Sequence, residues 1–412
     1  MSIDRLVAIA IVLCAFTLAF GGGYPLAYGL MAMSIFLIVR WLTINPALKE
    51  LKEPAGLLML AAFVLIAIAA AATAQQATDL AGVVSFTMVA LFPLLRAATA
   101  RFSDRAFTRW VSHAALVGSA VSFAVAAAQV NLFAYGRAQG FGSDPIWAAQ
   151  AALSIGFLAL IGLREASGLW RYALALGPGL GIATVLLTGS RGPLIATVPL
   201  LVIAVLASPG ARTRTAVSAI VAAIFAGFIF DVIGDAGRIA TAITAAADLL
   251  AEASIGDSSI GIRETLFEAA WEAFLNAPIA GHGWEQRVAV VYQFVAGGEQ
   301  AIVSADAMMQ GNRHLHADML DFGVAAGLLG LVAYGLILIA PIVGALSSPQ
   351  DSQRPARILG TVLLSTSYFF CGLSYIMLGY EFPTTLYVVT AAILLGGCRD
   401  QPSHPARRPV SP

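Results

Sequence analysis

Charge is what this chain has least of. Only 11% of its 412 residues are charged, against about 25% in a soluble domain, while 59% are hydrophobic. That excludes an ordinary water-soluble domain and points to an integral membrane protein. Lys plus Arg balances Asp plus Glu at 23 each, and no basic stripe is present, so nucleic acid is not expected as a partner. Alternating ten-residue strands are missing, which argues against an outer-membrane barrel. The three cysteines, Cys14, Cys371 and Cys398, are isolated, two within predicted spans and one at the end of the last, so neither a disulfide framework nor a zinc site is suggested. Internal repeats and low-complexity segments are also lacking. The first apolar run, 6–20, carries only a weak small-residue cleavage site and many runs follow, so it reads as an uncleaved first helix.

What is present is a succession of apolar runs close to the length a helix needs to cross a bilayer. Twelve are expected, at roughly 6–20, 24–40, 55–73, 80–95, 110–130, 146–163, 172–188, 193–207, 215–231, 318–346, 358–378 and 384–397. The tenth is long enough to be tilted or to extend beyond the bilayer. With the N-terminus inside, 17 of the 23 Lys and Arg residues fall on the inner side. The six outer ones are Arg137, Arg191, Arg238, Arg263, Arg287 and Arg313. The expected organisation is an all-α polytopic membrane protein. Residues 1–231 form spans one to nine, 232–317 a large outer loop with short helices, 318–398 spans ten to twelve, and 399–412 a disordered cytoplasmic tail. Within the loop, 239–253 is Ala-rich. Residues 262–275 place Ile262, Leu266, Ala269, Ala270, Ala273 and Phe274 on one face, with Glu264, Glu268 and Glu272 on another, a helical pattern that Pro278 and the following glycines end.

Polar and ring-bearing residues concentrate between Arg263 and Leu331. Arg191, in the short Thr188-Gly-Ser-Arg-Gly-Pro193 link, must sit in a tight turn at membrane depth, where an unpaired cation is costly. A guanidinium offers a donor fork that matches phosphate oxygens, so Arg137, Arg191 and Arg263 could together hold a diphosphate. Arg238, Arg287 and Arg313 read instead as surface arginines at a headgroup interface or paired with loop carboxylates. His314, His316, Asp318 and Asp321 lead into the tenth span. His314, Asp318 and Asp321 share a helical face if the helix already begins there, while His316 lies off it. His316 suits a general base, but capping the helix is an equally available role. A metal held by His314, His316 and Asp318 is disfavoured because an i,i+2 pair does not project together from a helix. Trp271, Trp284 and Tyr292 have the rings to stack on sugars, or to form an interfacial belt or local packing. The pairs Gly281/Gly283 and Gly327/Gly330 follow no strand. The first reads as a turn and the second as close helix packing, not as nucleotide-binding loops.

These motifs, in this order, resemble the O-antigen ligase and polymerase superfamily of bacterial envelope enzymes. Its Arg-x-x-Gly…Pro segment is matched by Arg137, Gly140, Asp144 and Pro145, with Ile146 where Asn is common, and its Ser-Arg-Gly turn by Ser190, Arg191 and Gly192. Its loop pattern is matched by Arg263, Phe267, Trp271, Pro278, Gly281 and Gly283. Its helix entry is matched by His316, Leu320, Gly327, Gly330 and Leu331, with Ala317 and Met319 replacing an Asn and an aromatic. The resemblance implies a GT-C-like helical membrane glycosyltransferase in the bacterial inner membrane, using no metal and no cofactor. Such an enzyme moves a glycan from an undecaprenyl-diphosphate carrier to an acceptor at the periplasmic face. The acceptor is lipid A-core for a ligase and another carrier-linked glycan for a polymerase. Arg191, Arg263 and Arg137 would then neutralise the leaving diphosphate, and His316 would take the acceptor proton, with Asp318, Asp321, Trp271, Trp284 and His314 in support. A transporter or flippase is the rival class, but it predicts ionisable groups near mid-span. Here they gather at the outer ends.

Overall fold

The computed structural model describes residues 3–44, 52–140, 144–208, 210, 215, 259–295 and 314–400, with side chains omitted for 259–265. The predicted ninth span beyond Thr215, the Ala-rich stretch 239–253, Arg212, Arg214, Arg238, Arg313 and most of the tail lie outside the described residues.

Among the described residues the structure is helical, with no strand. In chain order the α-helices are α1 (Ile3–Thr17), α2 (Gly23–Ile44), α3 (Pro54–Thr73), α4 (Thr87–Ala100), α5 (Arg105–Asn131), α6 (Pro145–Leu158), α7 (Leu169–Thr188) and α8 (Arg191–Ala207). Then come α9 (Ser259–Asn276), α10 (Arg287–Gln293), α11 (Asp318–Leu346), α12 (Arg354–Gly372) and α13 (Glu381–Gly396). A 3₁₀ segment, Ala77–Phe86, leads into α4, and another, Ala159–Gly162, extends α6. Seven of these stretches are long and apolar enough to cross a bilayer: α2, α3, Ala77–Ala100, α5, Pro145–Gly162, α7 and α11. The apolar helices α8 and α13 are shorter.

Apolar residues surround α6 and α13 on every side, and every residue of α13 after Glu381 is buried, as is α6 from Trp147 onward. A helix apolar all round belongs at the centre of a bundle. These two hold the middle, with α6 packed on α7 and α12, and α13 on α4 and α2. Asp144 starts α6 as its N-cap, accepting from the Ile146 amide at 2.7 Å, and Pro145 takes the first helical position, where its missing N–H costs nothing.

The tenth predicted span is not one straight helix. α11 breaks at Gly327, whose φ of 59° and ψ of −145° only glycine adopts readily. An unbroken helix would hold residues 322 and 330 roughly 12 Å apart. Here a Cβ on Gly330 would run into the Phe322 carbonyl, so the chain bends back sharply. Such a break strands backbone groups on both sides. The loop 278–283 satisfies them: His282 and Gly283 donate to the carbonyls of Val324 and Ala325 at 2.8 Å, while the amides of Leu328 and Leu329 donate to Pro278 and Ile279 at 2.7 and 3.3 Å. The two glycine motifs are two halves of one joint. Around it, Leu266, Ala269, Ala270 and Ala273 of α9 bury against Val291 and Tyr292 of α10, Leu315, and Val324 of α11, forming a separate small core.

Candidate functional site

Four helix N-termini, those of α6, α8, α11 and α13, meet the C-terminal end of α12 at one end of the bundle. This end collects most of the residues singled out from sequence.

The arginine turn is built first. α7 ends in Gly189, left-handed at φ +61°, and α8 begins at Arg191, so the link is two residues long. Arg137 straps this link: its Nε donates to the Thr188 carbonyl at 2.8 Å and its Nη2 to Ser190 Oγ at 3.2 Å. Ser190 in turn donates to the Pro145 carbonyl at 3.3 Å. Arg137 and Arg191 are exposed, and neither pairs with a carboxylate among the described residues. Arg263 lies on α9, with its side chain outside the described residues.

The histidines come next. α11 begins at Asp318, so 314–317 is not helical, and the prediction that His314 and His316 diverge does not hold: their ring centroids lie 4.4 Å apart. His316 has a left-handed φ of +57°, an uncommon conformation for a residue with a side chain. Its amide donates to His314 Nδ1 at 3.3 Å, which leaves the His314 proton on Nε2. Burial, and then the charge of Arg287, hold the His314 imidazole down to about 4, so it stays neutral near pH 7.

Tyr375, on the link between α12 and α13, packs edge-on to His314 at 4.6 Å and tilted to His316 at 5.7 Å. Its hydroxyl donates to Asp144 Oδ2 at 2.7 Å. Burial and the neighbouring Asp144 carboxylate push the Tyr375 phenol up, so it remains a donor. Sequence reasoning did not find Tyr375. Its partner is 231 residues away, and no spacing rule reaches that far.

The two aspartates do different things. Asp318 Oδ1 accepts from the Met377 and Leu378 amides at 2.7 and 3.1 Å, clamping the Tyr375 link to α11. Among the described residues no group of three His, Cys, Asp or Glu side chains is placed to hold a metal ion. Asp321 instead pairs with Arg287, Nε to Oδ1 at 2.8 Å, although the geometry is that of an ion pair rather than an aligned hydrogen bond. Arg287 is not the surface residue the sequence suggested. It also reaches the Trp284 carbonyl and lies 5.8 Å from the Trp284 ring centroid. Its charge is held more firmly than usual: burial opposes it, but Asp321 outweighs that. Trp284 is buried against Phe86 and Phe322, and Tyr292 lies in the small core, so these two rings are packing. Trp271 is 57% exposed and stacks on Phe274 at 5.5 Å, and Phe267 beside it is partly exposed.

Described residues that are helical throughout, with several apolar helices of spanning length and an ionisable cluster at one end of the bundle, make this a multi-pass membrane protein. Residues 176–335, less than half of the chain, match the family model described as O-antigen ligase, and this match supports membership of the O-antigen ligase and polymerase superfamily. It takes in the Arg191 turn, the 278–283 loop, both histidines and the Gly327 break, but not Arg137, Asp144 or Tyr375. Comparison with curated proteins finds no match.

Proposed function

We propose that this chain is an O-antigen ligase-type glycosyltransferase. It moves a glycan from an undecaprenyl-diphosphate carrier to a sugar of lipid A-core at the periplasmic face of the inner membrane. The observation that carries this reading is a pair of exposed arginines at one two-residue turn, Arg137 bonded across it and Arg191 following it, without a carboxylate partner among the described residues and joined through Pro145, Asp144 and Tyr375 to the histidine pair. Cations without counter-ions beside a base suit a substrate that brings a diphosphate to a hydroxyl.

The acceptor hydroxyl attacks the anomeric carbon. The bond from that carbon to the diphosphate oxygen breaks, the diphosphate keeps the electron pair, and the hydroxyl proton passes to His316. Configuration inverts. Arg191 and Arg137 neutralise the leaving diphosphate, joined by Arg263. His314, neutral and fixed in one tautomer, orients rather than accepts. The proposed topology has twelve spans in a GT-C-like arrangement, both termini cytoplasmic and 232–317 periplasmic, with apolar helices offering lipid-facing surface to the polyprenyl tail. The arginine distribution supports it: Arg40, Arg96, Arg354 and Arg357 sit at the helix ends opposite the site.

The test is the lipopolysaccharide and exopolysaccharide gel profile of a deletion strain. Carrier-linked glycan that accumulates without attachment supports the ligase. Single repeat units would assign a polymerase with a carrier-linked acceptor instead. Unchanged profiles would overturn both.

A further inference from the structure

We propose that Tyr375 is a positioning residue: its ring sets the two imidazoles, and its hydroxyl ties them through Asp144 to the arginine turn. The inference rests on the transfer reaction proposed above for the chemistry it serves, and on geometry for the rest.

Three anchors hold Tyr375 in place. Its hydroxyl bonds Asp144 at 2.7 Å, the next carbonyl, Ile376, accepts from Trp147 Nε1 at 2.7 Å, and the two following amides are taken by Asp318. An eight-residue link, Leu373 to Tyr380, is thereby tied to both α6 and α11. On its other side a Cβ on Gly192 would collide with Ser374 Oγ, so the arginine turn abuts the same link. A link pinned this firmly presents the Tyr375 ring to both histidines in one orientation. Ring packing on both imidazoles, at 4.6 and 5.7 Å, and the hydrogen bond shared with Asp144 give Tyr375 the orienting part that an acid plays in a Ser-His-Asp arrangement.

Asp144 is the electrostatic lever. One of its oxygens caps α6 and the other accepts the hydrogen bond from the Tyr375 hydroxyl. Its charge favours protonation of His314. The other groups facing the pair are Arg287 from α10, which opposes protonation, Asp321 from α11, and Tyr380 at the entry to α13, 6.1 Å from His314. Tyr24 of α2 lies one ring further out, against Trp147. Deleting the Tyr375 hydroxyl leaves the Asp144 charge less neutralised and should raise the histidine titration. Deleting the Asp144 charge should lower it.

The experiment takes the full chain in nanodiscs with ¹⁵N-labelled histidine. The five histidines give few signals, and His314→Gln assigns one. Side-chain ¹⁵N shifts report tautomer and titration midpoint between pH 3.5 and 8. In Tyr375→Phe the His314 midpoint should rise and its single tautomer should become a mixture. In Asp144→Asn, which keeps a good helix cap, the midpoint should fall. With a carrier-linked glycan donor, Tyr375→Phe should lower kcat by about 10- to 100-fold through misplacement, with donor KM within about twofold. Midpoints that stay at the wild-type value in both variants, or move the same way, would overturn the proposal. If wild type transfers no glycan while the shifts appear with opposite sign, the positioning role stands and the functional reading falls.

Discussion

Arg287 Nε stands 2.8 Å from Asp321 Oδ1, with the two side chains only 13% and 1% exposed. A buried pair of this kind need not add stability over an apolar pair, but halving it strands a charge. Arg287→Gln and Asp321→Asn should each destabilise the protein by about 3–5 kcal/mol, read as apparent Tm in detergent. Arg287→Met combined with Asp321→Leu should recover most of that loss. The reading of Arg287 as a surface residue would make lysine there nearly silent. Burial makes Arg287→Lys measurably destabilising.

Arg191→Lys keeps the charge and loses the fork. Because a charge-assisted hydrogen bond is worth about 1.5–3 kcal/mol, transfer should fall roughly 10- to 100-fold. Arg137→Lys should fall similarly, since it frees the Thr188–Ser190 link as well. Arg109→Lys, exposed at the far end of α5, should match wild type. Initial rates with purified protein and carrier-linked donor decide it, and equal tolerance at positions 109 and 191 would count against a diphosphate role.

His316→Ala should lose most of the about 10²- to 10⁴-fold that a general base supplies, with expression intact. His314→Ala should lose less, because a base held near 4 accepts protons poorly at neutral pH. Turnover of both variants, with and without chelator, checks this. Near-normal turnover by His316→Ala would remove it as base, and chelator sensitivity of wild type would call for a metal.

Stability should depend on pH through His314. Its folded value of about 4 lies below the ordinary 6.5, so between those values the unfolded chain binds the proton and the folded one does not. Stability is therefore complete above 6.5 and declines as pH falls towards 4, by at most about 3 kcal/mol. Apparent Tm should drop across that window, and His314→Gln should flatten the drop.

The joint between the 278–283 loop and α11 should not tolerate side chains. A Cβ on Gly327 would lie 2.5 Å from the Ile279 backbone, and one on Gly281 2.5 Å from Ala325, both at positive φ. Either alanine should cost more than the roughly 1–3 kcal/mol of backbone strain alone. Gly335→Ala, with nothing within 4 Å, should be neutral or slightly stabilising. Thermal unfolding of the three variants compares them directly.

The sequence by itself determined the class, because length and continuity of apolar runs report directly on the solvent a helix meets. It also located the Arg191 turn, since two residues between apolar runs leave no other geometry, and it marked both glycine motifs. It could not join those motifs, because the bond from His282 to Val324 depends on where a broken helix leaves its carbonyls. Tertiary structure alone decided which polar residues meet. The histidine pair converges because α11 starts at Asp318 rather than at His314. Arg287 is drawn largely out of solvent, where it pairs with Asp321 of another helix, and Tyr375 joins Asp144 from the far end of the chain. Periodicity encodes which face of a helix is apolar. It says nothing about which helix end lies beside which other, and this candidate site is made of helix ends.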